Sequence, residues 1–137
     1  MVLGRIGQLF AAQHDARAAV RWFRRAVASN PSEAAWHVFL GGTLARLGRL
    51  QAAAECHRRA TRCRTGCIDE AWQNLGLIRR AQGCYQDAAR CFRKAIALDP
   101  RYREAKVALR DVEYALTICA RGDSARASRS APARRNR

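Results

Sequence analysis

Thiols and imidazoles are the side chains of this sequence with the widest chemistry, and they gather most densely at Cys56, His57, Cys63 and Cys67. These donor types suit zinc, and a Cys-x3-Cys pair near a histidine invites that reading. The spacing opposes it. Cys56 and His57 are adjacent, and adjacent side chains on a helix diverge by about 100°, so one ion cannot take both, and no second cysteine pair follows to close a tetrahedron. The same divergence denies them a thiol–imidazole dyad. His14 and His37 have no phased serine, cysteine or carboxylate that would supply a nucleophile and an orienting group. The expectation is a chain that is not an enzyme, with no catalytic residue, no metal and no cofactor. Of the six cysteines, Cys56 and Cys91 fall at equivalent places one repeat apart and Cys84 and Cys119 stand alone. In a reducing compartment such thiols read as small packing groups, with Cys67, on an expected exposed loop, the one open to oxidation.

Positive charge is the second chemical feature. Lys and Arg number 26 against 11 Asp and Glu, a net charge of +15, and Lys94 and Lys106 are the only lysines. The doublets Arg24-Arg25, Arg58-Arg59 and Arg93-Lys94 recur at equivalent places on amphipathic segments. Together they define an outward basic face that could hold nucleic acid or another polyanion through phosphate contacts. No aromatic residues interleave for base stacking, so a solvated arginine surface is the preferred reading and polyanion binding the alternative. Arg121-Gly122-Asp123 matches an integrin-binding tripeptide but is assigned no role. The apolar runs are broken every few residues and fall short of the roughly 20 residues a membrane-spanning helix needs. Residues 1–10 lack the apolar stretch and cleavage site of a secretory signal. The expected compartment is the cytoplasm, with no membrane partner.

These residues are positioned by a repeat. Gly7, Gly41 and Gly76 are 34 and 35 residues apart, and Ala19, Phe23, Ala26 return as Ala53, His57, Ala60 and as Ala88, Phe92, Ala95. Apolar residues at i, i+4 and i+7 share one helical face, with Arg90, Arg93 and Lys94 turned away from it. Gly48 and Gly83 punctuate paired helices, Pro31 and Pro100 stop the second of a pair, and Ser32 and Asp69 are candidate N-caps. Helices are predicted at about 2–13, 16–29, 33–46, 50–63, 69–82, 85–98 and 102–120, with an extra residue somewhere between Arg62 and Ile68 disturbing the second repeat.

The third copy, Trp72-x2-Leu75-Gly76 followed by Gly83, Ala88, Phe92, Ala95 and Asp99-Pro100, closely resembles the tetratricopeptide repeat (TPR) signature. The first copy departs in having Leu3 for the tryptophan. The second has Trp36-x3-Leu40-Gly41, His57 for the aromatic and no terminal proline. The resemblance implies an all-α fold, a right-handed superhelix of three helix-turn-helix repeats at about 1–33, 34–68 and 69–102. A C-terminal capping helix, 102–120, would bury the open end of the stack through Val107, Leu109, Val112, Leu116 and Ile118. Residues 121–137 hold no large apolar side chain and are expected to be a disordered basic tail.

In the TPR family the first helices of successive repeats line a concave groove that holds a peptide or a partner helix. Carried over by phase, the groove would comprise Val38, Phe39, Gly42 and Arg46, then Gln73, Asn74, Leu77 and Arg80, then Val107, Ala108 and Asp111. Asn74 stands where many members use an asparagine to bond the ligand backbone, a role that suits a carboxamide with both donors and an acceptor. Some members clamp the C-terminal carboxylate of heat-shock chaperones with Lys, Asn and Arg. The matching places here hold Gly4, Gln8, Phe39, Glu70 and Asn74, with none of the cations, which argues against that ligand. The expected function is a protein–protein interaction module whose partner is another protein, and the oligomeric state is left open.

Overall fold

The structure, a computed structural model, describes residues 2–130. In order these form α1 (Val2–Ala12), α2 (Ala16–Ser29), α3 (Ala34–Arg46), α4 (Leu50–Ala60), α5 (Ile68–Ala81), α6 (Tyr85–Leu98) and α7 (Arg103–Ser130). No helix among the described residues is long and apolar enough to cross a membrane.

The turns are set by local chemistry. Gly48 and Gly83 adopt φ of 75° and 76°, which lets Arg49 N–H and Cys84 N–H each reach back 2.9 Å to the carbonyls of Leu44 and Arg79. In the first repeat that left-handed place is taken by His14, at φ 62°, a substitution the spacing alone does not announce.

Two expected caps are corrected. The N-cap of α3 is Glu33, whose Oε1 accepts from Ala35 N–H at 3.2 Å, while the Ser32 hydroxyl donates to Asn30 Oδ1 at 3.0 Å. Tertiary contact decides this. Ala34 N–H donates to the Thr65 carbonyl at 2.9 Å, and the Thr65 hydroxyl donates to Glu33 Oε2 at 3.1 Å. The α4–α5 loop thus pins Glu33 at the helix start. Asp69 lies within the first turn of α5, whose N-cap is Cys67. The extra residue of the second repeat is absorbed in that same loop, so α4 ends at Ala60, earlier than periodicity suggests. Gly66 turns there with φ 96°, and a Cβ on it would collide with Glu33 Oε1.

Packing repeats along the chain. α1 lies on α2, α3 on α4 and α5 on α6, and each pair leans on the next element. In each pair a glycine of the first helix meets a ring of the second. A Cβ on Gly7 would stand 2.7 Å from Phe23 Cδ1, one on Gly76 2.6 Å from Phe92 Cε1, and one on Gly41 2.7 Å from His57 Nε2. Phe23, Phe92 and His57 are fully buried, and each phenyl contributes on the order of 2 kcal/mol through its burial. Cys91 is buried and Cys56 half-buried against one shared core cluster, as their equivalent phase requires.

α7 closes the stack through Ala105, Ala108 and Val112, with Leu109 and Leu116 half-buried beside them. Val107 and Ile118, expected among these contacts, are 47% and 51% exposed. The buried set follows i, i+3, i+7, and the other two fall off that stripe. The expected helix end at Ala120 is also corrected, since α7 continues to Ser130. Residues 121–130 hold neither proline nor a β-branched residue, and Gly122, the weakest helix former among them, does not break the helix. None of the side chains of residues 121–129 is buried. The remaining tail, 131–137, lies outside the described residues.

Candidate functional site

α3, α5 and α7 lie side by side, and residues about one repeat apart meet across them. Arg80 Nη1 is 3.9 Å from Asp111 Oδ2, and Phe39 shares a cavity with Glu70. The three helices therefore present one common face.

Two open cavities follow the seams of that face. The α5–α7 cavity, about 620 Å³, is lined by Gln73, Asn74, Leu77, Arg80, Val107, Ala108 and Asp111 together with Tyr102, Arg103 and Glu104. The second, about 300 Å³, is lined by Val38, Phe39, Gly42 and Arg46 together with Gln8, Ala11, Phe23, Thr43, Glu70 and Asn74. Asn74 belongs to both, so it joins them across α5. All the residues assigned to a groove by phase are brought together here.

Their roles divide by exposure. Val38, Gln73 and Ala108 are buried and form the floor, with Val38 in the core beside Ala34, Ala60 and Ala71. Phe39, Asn74 and Leu77 are half-buried, while Arg46, Val107 and Asp111 are exposed. Phe39 is held in place by stacking on Phe23, with ring centroids 5.6 Å apart. Gln73 is 5% exposed and its Oε1 has no hydrogen-bond partner. Buried amide oxygens are rarely left so.

Tyr102 and Glu104 were not assigned to the groove by sequence, although their position at the start of α7 could have suggested it, and Glu70 was placed only at a clamp position. The Tyr102 phenol is pushed up to about 12, first by burial and then by the nearby carboxylates of Glu70, Asp69 and Glu104. Glu104 and Tyr102 line the α5–α7 cavity and Glu70 lines the neighbouring one.

The basic doublets lie on the second helices as expected. Arg24, Arg25, Arg59, Arg93 and Lys94 are exposed and Arg58 is half-exposed. Several are engaged within the chain. Arg58 and Arg59 reach Glu55 at 2.6 and 3.2 Å, Arg93 reaches Glu113 at 2.8 Å, and Arg25 stacks 4.7 Å over the Trp22 ring. This is the geometry of a solvated, partly neutralised outer surface.

The reactive side chains are dispersed. Burial pushes the His57 imidazole down to about 4, so it is a neutral core group at ordinary pH. Cys67 is half-buried at the start of α5, and burial raises its thiol, so it is not the exposed loop thiol expected. Cys84 and Cys119 are the exposed ones.

The fold is that of a tetratricopeptide-repeat domain. The Sgt2 TPR domain from Aspergillus fumigatus superposes with a TM-score of 0.80 at 21% identity, over 88% of this chain and 81% of that one. The first TPR of Spaghetti (RPAP3), bound to the HSP90 peptide SRMEEVD, gives 0.78 at 20% identity over 85% and 91%. The Arabidopsis OM64 TPR domain gives 0.76 at 23% identity over 82% and 93%. Residues 14–135 match the family described as T7SS, ESX-1 secretion system protein EccA1, N-terminal domain, and the chain belongs to that family. No curated protein matches it in sequence.

Proposed function

We propose that this chain is a protein-interaction module that holds a peptide or helix of another protein across the common face of α3, α5 and α7. The observation that carries the reading is the continuity of that face through Asn74, which lines both cavities. Phe39, Leu77 and Val107 offer apolar surface along it, and Asn74, Arg46 and Arg80 offer donors that orient a guest. The unit that binds is the repeat array with its closing helix, and the exposed residues beyond Ala120 lie outside it.

The peptide in the Spaghetti (RPAP3) complex, SRMEEVD, has three acidic residues among its last four. Here Glu70 and Phe39 stand where a carboxylate clamp would need a cation and an amide, so the guest of this chain differs in charge. Affinity capture with the wild type and with an Asn74→Ala/Leu77→Glu variant tests the reading. Partners held by the wild type and lost by the variant are expected, and identical partner lists would remove this face from the account.

A further inference from the structure

α7 carries a second stripe, apart from the one that closes the stack. Glu104, Val107, Asp111, Tyr114, Ile118 and Arg121 follow one another at alternating spacings of three and four residues, so they share one helical face. All six are exposed, with Tyr114 at 69%, Ile118 at 51% and Val107 at 47%. Phase explains what this face is. Gln73, Leu77 and Arg80 line the seam by which α5 meets α7, and Val107, Asp111 and Tyr114 stand 34 residues further on. They form the side of α7 that corresponds to the one α5 turns toward its neighbour, and among the described residues no helix covers it.

The residue types along the stripe are complementary to their own reverse order. Laid antiparallel on a second α7, Glu104 meets Arg121 of the copy, Val107 meets Ile118 and Asp111 meets Tyr114, and symmetry repeats the three layers. The ends are charge pairs, the next layers branched aliphatic, and at the centre a carboxylate accepts from a phenol. Such a polar central layer fixes register and direction. Among the described residues neither Glu104 nor Arg121 has an ion-pair partner within the chain. The exposed apolar residues at the other end of the array, Val2 and Leu9, lie on α1, which contains Arg5 but no carboxylate to meet Arg121.

We propose that this stripe docks on the same stripe of a second copy of the chain, the two α7 helices antiparallel about a two-fold axis. A single helix pair buries less than about 1,200 Å², and a net charge of +15 on each copy opposes their approach. The dimer is therefore weak, with dissociation on the order of tens of micromolar. Glu104, Val107 and Asp111 also border the α5–α7 cavity, whereas the cavity lined by Phe39 and Arg46 shares no residue with the stripe. Pairing thus goes beyond the peptide-holding reading and does not depend on it.

Sedimentation equilibrium of the full chain, at concentrations on either side of that value, is the experiment. The mass is expected to rise from 15.3 kDa to twice that figure. Ile118→Lys, at an exposed position, should abolish the rise, with far-ultraviolet dichroism checking that each variant is folded. Glu104→Arg and Arg121→Glu should each weaken pairing by about tenfold, because each turns two attractive contacts into repulsive ones. The combined Glu104→Arg/Arg121→Glu variant should restore it, since the pairs re-form with their signs exchanged. A chain that stays at 15.3 kDa overturns the inference, as does a dimer indifferent to Ile118→Lys or a charge exchange that fails to restore pairing. Assembly that grows past two copies overturns it as well, being the signature of α7 docking on α1. The peptide-holding reading is tested apart from this through Asn74 and Leu77, neither of which lies on the stripe.

Discussion

His57 lies with its ring against the bare backbone of Gly41, Nε2 only 2.7 Å from where a Cβ on that glycine would stand. The same glycine-to-ring contact holds Phe23 over Gly7 and Phe92 over Gly76, so the second repeat keeps the geometry of its neighbours while replacing a phenyl by an imidazole. The replacement has a cost: His57 is 1% exposed and its Nδ1 has no partner.

That burial makes stability depend on pH. The unfolded chain protonates this histidine near 6.5, and the folded one only near 4, so the unfolded state binds more protons between those values. The contribution is complete above pH 6.5 and is lost as pH falls toward 4, by up to about 3 kcal/mol. His57→Phe should remove this acid sensitivity and raise stability at pH 7 by about 1 kcal/mol, because it removes an unsatisfied buried nitrogen. Urea midpoints of both proteins across this pH range measure it, and parallel curves would count against the assignment.

His14 carries the positive φ that glycine supplies in the other two repeats. His14→Gly should therefore relieve left-handed strain and stabilise the chain by about 0.5–1 kcal/mol. An unchanged or lower thermal midpoint would show that this turn is not strained.

The thiols should separate by accessibility. Cys84 and Cys119 are exposed, whereas Cys56, Cys67 and Cys91 are covered to differing degrees and burial raises the pKa of each. With a maleimide at neutral pH, Cys84 and Cys119 are expected to label first, and Cys91 only on unfolding. Peptide mapping of early time points reads the order directly.

Removing the residues after Ala120 should leave stability nearly unchanged, within about 0.5 kcal/mol, because no side chain of residues 121–129 is buried. By contrast Val112→Asp, in the buried stripe that closes the stack, should unfold the end of the array by placing a charge in the core. Thermal melts of the two variants provide the comparison.

The helix order and the pairing were legible from the chain because they rest on periodicity, whereas the choice of α3, α5 and α7 as the common face came from the resemblance to the TPR family. A glycine, an alanine and an aromatic at fixed helical spacing must share a side, and repeating them must repeat the packing. Asn74, Leu77 and Arg80 could be placed by phase for that reason. Local chemistry was less decisive where another segment intervened. Ser32 is a good N-cap in isolation, yet the loop carrying Thr65 holds Glu33 there instead. The end of α7 was misjudged for the opposite reason: lack of apolar side chains removes a cause for burial, but it does not by itself break a helix.

What the linear order determined is the set of amphipathic helices, since the direction of each side chain around a helix axis follows from its number. It also determined the close approach at Gly7, Gly41 and Gly76, since only glycine there leaves room for a ring. Tertiary structure alone decided which face residues reach solvent, sending Val38, Gln73 and Ala108 to the floor and leaving Val107 at the surface. It also set Tyr102 and Glu104 in the α5–α7 cavity and Glu70 in the one beside it. The tilt and offset between neighbouring helices set those outcomes, and they emerge only when whole helices pack against one another.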